Sequence, residues 1–239
     1  MNMNLNFNNM KKDFREYFKS RHPFMMTVLD DYVKKTKAGV LTPYITRESQ
    51  ERMVQVDVFS ELMSNRILFF GDEVNSDTSN IALSQLLYLH AASREPITIY
   101  ISSPGGAVYN GLALYDTMQL VGKDCIVKTT CLGLAASMGS ILMVGGTRGH
   151  RSALEHSRIM IHSVSTGSDR VTYPDLKILS EETGKLNDEL MTILSEKTGK
   201  PLEEVMVDAS RDCWLKASEC LPGVYGKFGL IDNIVTTLQ

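Results

Sequence analysis

The sequence predicts an α/β domain of layered type, and three observations predict it. Short apolar, β-branched runs recur at 66–70, 97–101, 126–130 and 158–162. Longer stretches with helical spacing lie between them, at 75–92, 108–121 and 136–145. Glycine and proline mark joints, most clearly at Pro104-Gly105-Gly106 and Gly199-Lys200-Pro201. Strands alternating with helices bury their apolar faces by stacking in layers.

The elements follow in order. Residues 1–40 are rich in Asn, Lys and aromatic side chains, with an amphipathic helix expected near 11–19. A short helix within 54–66 precedes the first strand of the domain, Arg66-Ile67-Leu68-Phe69-Phe70. The helix at 75–92 carries Ile81, Leu83, Leu86, Leu87 and Leu89, and the strand 97–101 runs directly into Ser102-Ser103-Pro104-Gly105-Gly106. Residues 150–158, with His150, Arg151, His156 and Arg158, read as a charged loop before the strand that ends at His162. Leu176, Leu179, Leu186, Leu190, Ile193 and Leu194 then recur near helical spacing, with Pro174 as a start signal and Gly199 as a stop. Residues 201–209 form a last helix before the single tryptophan, Trp214.

Composition excludes several classes. The 239 residues carry a formal net charge of −3 with no basic stripe, so nucleic-acid binding has no electrostatic footing. The start lacks the apolar stretch of a secretory signal, and the longest apolar run, 132–144, is too short to span a bilayer. Cys125, Cys131, Cys213 and Cys220 show no C-x-x-C pairing, which fits free thiols in a reducing compartment. A soluble cytoplasmic protein is expected.

The chemistry centres on Gly133-Leu-Ala-Ala-Ser137-Met138-Gly139-Ser140. One hydroxyl among small residues, where a β-like segment gives way to a helix, is open to a substrate backbone. The helix start offers unpaired N–H groups to a developing oxyanion. Small residues at a helix start also serve tight packing, so the hydroxyl needs a base and the base an orienting acid. Of five histidines, His162 alone ends a buried-looking strand beside a polar loop, Ser163 to Thr172. Asp212, next to Cys213-Trp214 and read as partly buried, is the candidate acid, with Asp208 as competitor. Gly106 after its strand offers an N–H that, with that of Met138, makes an oxyanion hole; a plain strand-to-helix turn is the alternative. The chain order Ser, His, Asp, and Ala135 where the α/β-hydrolase elbow needs glycine, set that fold aside.

Five signatures in order, Ser102-Ser103-Pro104-Gly105-Gly106, Tyr115-Asp116-Thr117-Met118-Gln119, Ala135-Ala136-Ser137-Met138-Gly139, Ser157-Arg158-Ile159-Met160-Ile161-His162 and Arg211-Asp212, make the chain resemble the proteolytic subunits of Clp proteases, the ClpP family. The resemblance covers residue 43 onward. It implies the ClpP/crotonase-like fold of stacked β-β-α units with a protruding handle helix, here the helix at 174–198. It implies a serine endopeptidase with Ser137 as nucleophile, His162 as general base and Asp212 as orienting acid, Gly106 and Met138 supplying the oxyanion N–H groups, and no cofactor or metal. It further implies heptameric rings stacked as a tetradecamer with Arg211 at the contact between rings, and an AAA+ unfoldase of the ClpX/ClpA/ClpC type feeding in unfolded polypeptide. Tyr100 matches an aromatic of the hydrophobic docking pocket for that partner, although a core tyrosine is an equal reading. Residues 1–40 become an N-terminal extension, read as a propeptide, ahead of a peptidase domain at 41–239.

Departures from the pattern are also present. Ser163-Val164 stands where the family shows Gln-Pro, and Ser210 where an acidic residue precedes the arginine. These leave open a regulatory paralogue acting structurally in mixed rings. A crotonase-type acyl-CoA enzyme shares the fold and the paired N–H groups, but that superfamily normally lacks a Ser-His-Asp set.

Overall fold

In a computed structural model, residues 44–49, 52–167, 172–223 and 228–236 are described. The helix expected at 11–19 and the whole extension at 1–40 lie outside them. The chain divides into two compact units, residues 1–58 and 59–239. The described part of the first is an antiparallel hairpin of β1 (Tyr44–Ser49) and β2 (Arg52–Asp57), paired from Tyr44↔Asp57 to Ser49↔Arg52. Helix α1 (Val58–Ser64) follows.

The second unit is built on a seven-stranded sheet. Strands β3 (Ile67–Phe70), β4 (Ile97–Ser103) and β5 (Val127–Ala136) lie side by side and parallel, joined by α2 (Ser76–Ala92) and α3 (Val108–Val121). Along β4 the odd positions Ile97, Ile99, Ile101 and Ser103 are buried and the even ones half-buried, as a strand covered by helices on one face requires. Helix α2 starts at an Asn75–Thr78 capping box, which satisfies two of its orphan N–H groups. Leu86, Ile101, Met118 and Leu142 are fully buried between these helices and the sheet.

Strand β5 is longer than the sequence indicates. The strand expected at 126–130 and the helix expected from 136 leave 131–135 unassigned, yet the strand runs on to Ala136 and α4 (Met138–Val144) begins two residues later. Its first half, Thr129–Cys131, pairs with β6 (Arg151–Leu154), and its second half, Leu134–Ala136, pairs with β7 (Arg158–Ile161). Gly133 at φ 89° sits between the halves, so one strand serves two neighbours in succession. Leu132 and Leu134 are half-buried and Ala135 and Ala136 buried, a mix that carries no periodicity to separate strand from helix.

The segment at 150–158 is likewise more than a charged loop, because it contains β6. Arg151 is only 3% exposed, and it is neutralised from 81 positions away. Asp232 accepts from its Nη2 (2.6 Å) and Nε (3.0 Å) and from the amides of Arg151 (2.9 Å) and Gly149 (2.8 Å). This fastens the last strand, β9 (Asn233–Val235), to β6, while Arg151 Nη1 also donates to Lys197 O at 2.9 Å. Burial alone would raise the Asp232 carboxyl, but the Arg151 hydrogen bonds win and hold it below the usual carboxylate range. Stability from a lowered carboxyl is present above its unfolded value near 3.9 and lost as pH falls through the folded value. Asp232→Asn is therefore expected to cost about 3–5 kcal/mol near neutrality, by stranding a buried guanidinium. In thermal unfolding against pH, the gap between variant and wild type should narrow below about pH 4; a constant gap would remove the charge from the explanation.

Helix α5 (Tyr173–Thr198) starts at an N-cap Thr172 with Pro174 in the first turn, and stops at Gly199 in the left-handed conformation (φ 77°). Its C-terminal half buries Leu190, Met191 and Leu194. In its N-terminal half, Tyr173, Leu176 and Ile178 are exposed. Helix α6 (Leu202–Asp208) and strand β8 (Cys213–Lys216) complete the unit, β8 pairing antiparallel with β7.

Candidate active site

The turn between β5 and α4 places Ser137. Its backbone (φ 53°, ψ −124°) is that of the first central residue of a type II′ turn, a conformation dominated by glycine. Holding a serine there costs roughly 1–3 kcal/mol, so the surroundings must impose it. Ser137 N–H donates to Met160 O (2.9 Å), and both the amide and the hydroxyl of Ser140 donate to Ser137 O (2.9 and 2.7 Å). The side chain stands beside the end of β7.

There the hydroxyl meets the expected partner. Ser137 Oγ lies 2.8 Å from Nε2 of His162, the residue following β7. The β7–β8 ladder ends at the pair Ile161↔Cys213, so the next residues outward, His162 and Asp212, face one another. His162 Nδ1 is 3.4 Å from Asp212 Oδ1. For Nε2 to accept from the hydroxyl, the ring proton must be on Nδ1, where the carboxylate can take it. Asp212 is 63% exposed rather than partly buried as expected, because β8 is an edge strand and Trp214 beside it is also exposed. The competitor is elsewhere: Asp208 accepts from Lys200 Nζ.

The third part comes from the loop after β4. Val74 N–H donates to Gly105 O (2.8 Å) and Ala107 N–H to Val74 O (2.7 Å), forming a parallel bridge around Gly106. A bridge of this pattern uses the groups flanking Gly106 and turns its own N–H to the opposite side. The loop requires glycine twice. At Gly105 (φ 94°) a Cβ would lie 2.6 Å from Ala136 O and from Ser137 Cβ, and at Gly106 (φ 146°) 2.3 Å from Val74 O. The close approach at Gly105 puts this loop against the Ser137 turn. Gly106, Ser137, Met138 and His162 line one cavity of about 50 Å³, whose far wall includes Ile161, Leu190 and Met191. An attackable hydroxyl, an imidazole on it and two main-chain positions thus share one apolar-backed pocket.

A sequence model of the family described as Clp protease matches residues 49–238. The chain is 43% identical over 224 residues to an ATP-dependent Clp protease proteolytic subunit of Bacteroides fragilis (strain YCH46), covering 93% of this chain and 98% of that one. It is 42% identical over 224 residues, 93% and 97% of the two chains, to the protein of that name in Porphyromonas gingivalis (strain ATCC BAA-308 / W83). To proteolytic subunit 1 of Salinibacter ruber (strain DSM 13855 / M31) it is 40% identical over 196 residues, 82% and 81% of the two chains. The chain belongs to the Clp protease family.

The mostly parallel sheet flanked by helices is the ClpP fold of that family, and the chain is a serine peptidase. None of its four cysteines is in a disulfide, and burial pushes the thiols of Cys131 and Cys220 up to about 11 and about 12, which keeps them protonated and unreactive. Tyr100 is half-buried, not a core residue, and lines a cavity of about 330 Å³. Thr98, Lys128, Thr130, His150 and Ser152 share that cavity, so its lining is more polar than the hydrophobic pocket expected from the resemblance. Arg211 is exposed beside Asp212. Sequence reasoning missed that the C-terminal half of α5 walls this cavity, having read the helix only as a protruding handle. The signal was there in the spacing of Leu190, Met191 and Leu194, which lie on one helical face. Among the described residues, no helix is long and apolar enough to cross a membrane.

Proposed function

We propose that the chain hydrolyses peptide bonds through an acyl-enzyme formed on Ser137. The 2.8 Å contact of Ser137 Oγ with His162 Nε2 carries this reading. As Oγ attacks the scissile carbonyl, its proton passes to Nε2 and the carbonyl electron pair becomes an oxyanion facing the N–H groups of Gly106 and Met138. Collapse expels the amine, which takes the proton from His162; a water then repeats the sequence in reverse and releases the acid. Asp212 holds the ring in the tautomer that accepts from the hydroxyl. Ser163-Val164 does not displace the imidazole, since the Ser137 contact is intact, and this supports an active subunit over a regulatory one. The apolar wall of Ile161, Leu190 and Met191 favours cleavage after an apolar residue.

The wider arrangement follows from the family. The relatives are named as subunits of an ATP-dependent protease, which supports an AAA+ unfoldase that delivers unfolded polypeptide. Exposed Tyr173, Leu176 and Ile178 on α5, with Ile81, Leu87 and Tyr88 on α2, supply apolar area for heptameric rings stacked as a tetradecamer. Arg211 would act at the ring contact and the cavity at Tyr100 would receive the unfoldase. Residues 41–239 form the peptidase domain in this reading, 1–40 an extension removed as a propeptide, and the compartment is the cytoplasm.

The test uses the native assembly, a fluorogenic peptide with an apolar residue before the scissile bond, and a fluorophosphonate. Peptide hydrolysis without ATP, stopped in step with modification of Ser137, is the expected result. Modification of another residue, or none while the assembly is intact, overturns the reading.

A further inference from the structure

We infer that Asn187, on the handle helix α5, is a positioning residue for the base His162. This rests on His162 being the general base. The β7–β8 ladder stops at Ile161↔Cys213, so His162 is the first residue beyond its support. Two anchors then fix the direction of the chain. Ser163 donates its N–H (2.6 Å) and its hydroxyl (3.0 Å) to Ala209 O, at the C-terminal cap of α6. Val164 donates its N–H to Asn187 Oδ1 at 3.1 Å. An amide N–H needs an acceptor, so the oxygen of the Asn187 side chain must be the atom facing it.

The placement of Asn187 explains why it is polar. It lies on the same helical face as Leu190, Met191 and Leu194, three, four and seven positions on, which form the wall of the active-site cavity. A half-buried amide on an otherwise apolar stripe needs a partner, and the orphan N–H of Val164 is that partner. Val164 itself lines the cavity with His162 and Ser137. The hydrogen bond therefore ties the rod of α5 to the second residue after the imidazole. Reacting groups lose much of their rate advantage when they are misplaced by an ångström.

The experiment is a double-mutant cycle on the full-length assembly, read by peptide kcat, KM and the rate of fluorophosphonate modification. Asn187→Leu keeps the shape and deletes the acceptor; Asn187→Asp keeps the acceptor; Val164→Pro deletes the donor. Asn187→Leu should lower kcat and the modification rate about tenfold at unchanged KM, as for one lost hydrogen bond that orients a reacting group. Asn187→Asp should recover most of that rate. In the Val164→Pro background, adding Asn187→Leu should cost less than about twofold, since the bond is already gone. Native mass and melting temperature are followed for each variant, because α5 also offers surface for assembly. An Asn187→Leu loss that is equal in both backgrounds, that follows assembly loss, or that is absent overturns the inference. A wild-type assembly that neither cleaves peptide nor takes the fluorophosphonate overturns the underlying assignment of the base as well, which separates the two failures.

Discussion

Ser137→Ala should abolish peptide hydrolysis, lowering kcat by about 10⁴–10⁶-fold while leaving KM and the assembly unchanged. The atom removed is the one that forms the covalent bond, and it is the hydroxyl that His162 touches. Ser140 lines the same cavity, but its hydroxyl donates to Ser137 O and the residue is 1% exposed. The buried thiols of Cys131 and Cys220 stay protonated at neutral pH. A residual rate is expected, since paired main-chain N–H groups and substrate binding still act on a water attack. Fold stability should hardly change, because alanine fills the same backbone position and the bonds of the turn run through main-chain atoms. The check is burst-phase peptide hydrolysis with mass spectrometry after fluorophosphonate treatment. Turnover within tenfold of wild type would move the nucleophile elsewhere.

Asp212→Asn should lower kcat by about 10²–10³-fold with the melting temperature little altered. The effect is on the tautomer: an asparagine can present its NH₂ to Nδ1, which pushes the ring proton to Nε2, where it can no longer accept from Ser137. A loss smaller than the 10⁴-fold known for a sealed triad is expected because Asp212 is 63% exposed and 3.4 Å from the ring, so water shares the task of orienting it. Asp208→Asn is the control. It breaks the contact with Lys200 and should touch stability more than turnover. If Asp208→Asn stops peptide cleavage and Asp212→Asn does not, the orienting acid has been misassigned.

Much of this site was legible in the residues. Glycines at 105 and 106, small residues around Ser137 and a histidine at a strand end are local signals of turn geometry and strand termination, and local signals survive in a single sequence. What depended on distant partners was not. Arg151 reads as loop because nothing nearby announces Asp232, so β6 was hidden behind its own charge. Residues 131–135 fall between the strand read at 126–130 and the helix read at 136–145, because a strand flanked on one edge by two successive neighbours shows neither period. Asp212 seemed partly buried beside Trp214, whereas an edge strand leaves both facing out. The inner half of α5 showed its stripe plainly, but which cavity that stripe would wall is set by tertiary packing alone.

The backbone at residue 137 also has an evolutionary reading. A β-carbon sits where the main chain would be more relaxed without one, and only the usefulness of the hydroxyl keeps it there. In a lineage that has stopped cutting, selection for that hydroxyl lapses while the pull toward a relaxed turn persists. Glycine is then the favoured successor, and a homologous sequence carrying it at this position declares a retired blade inside a sound frame.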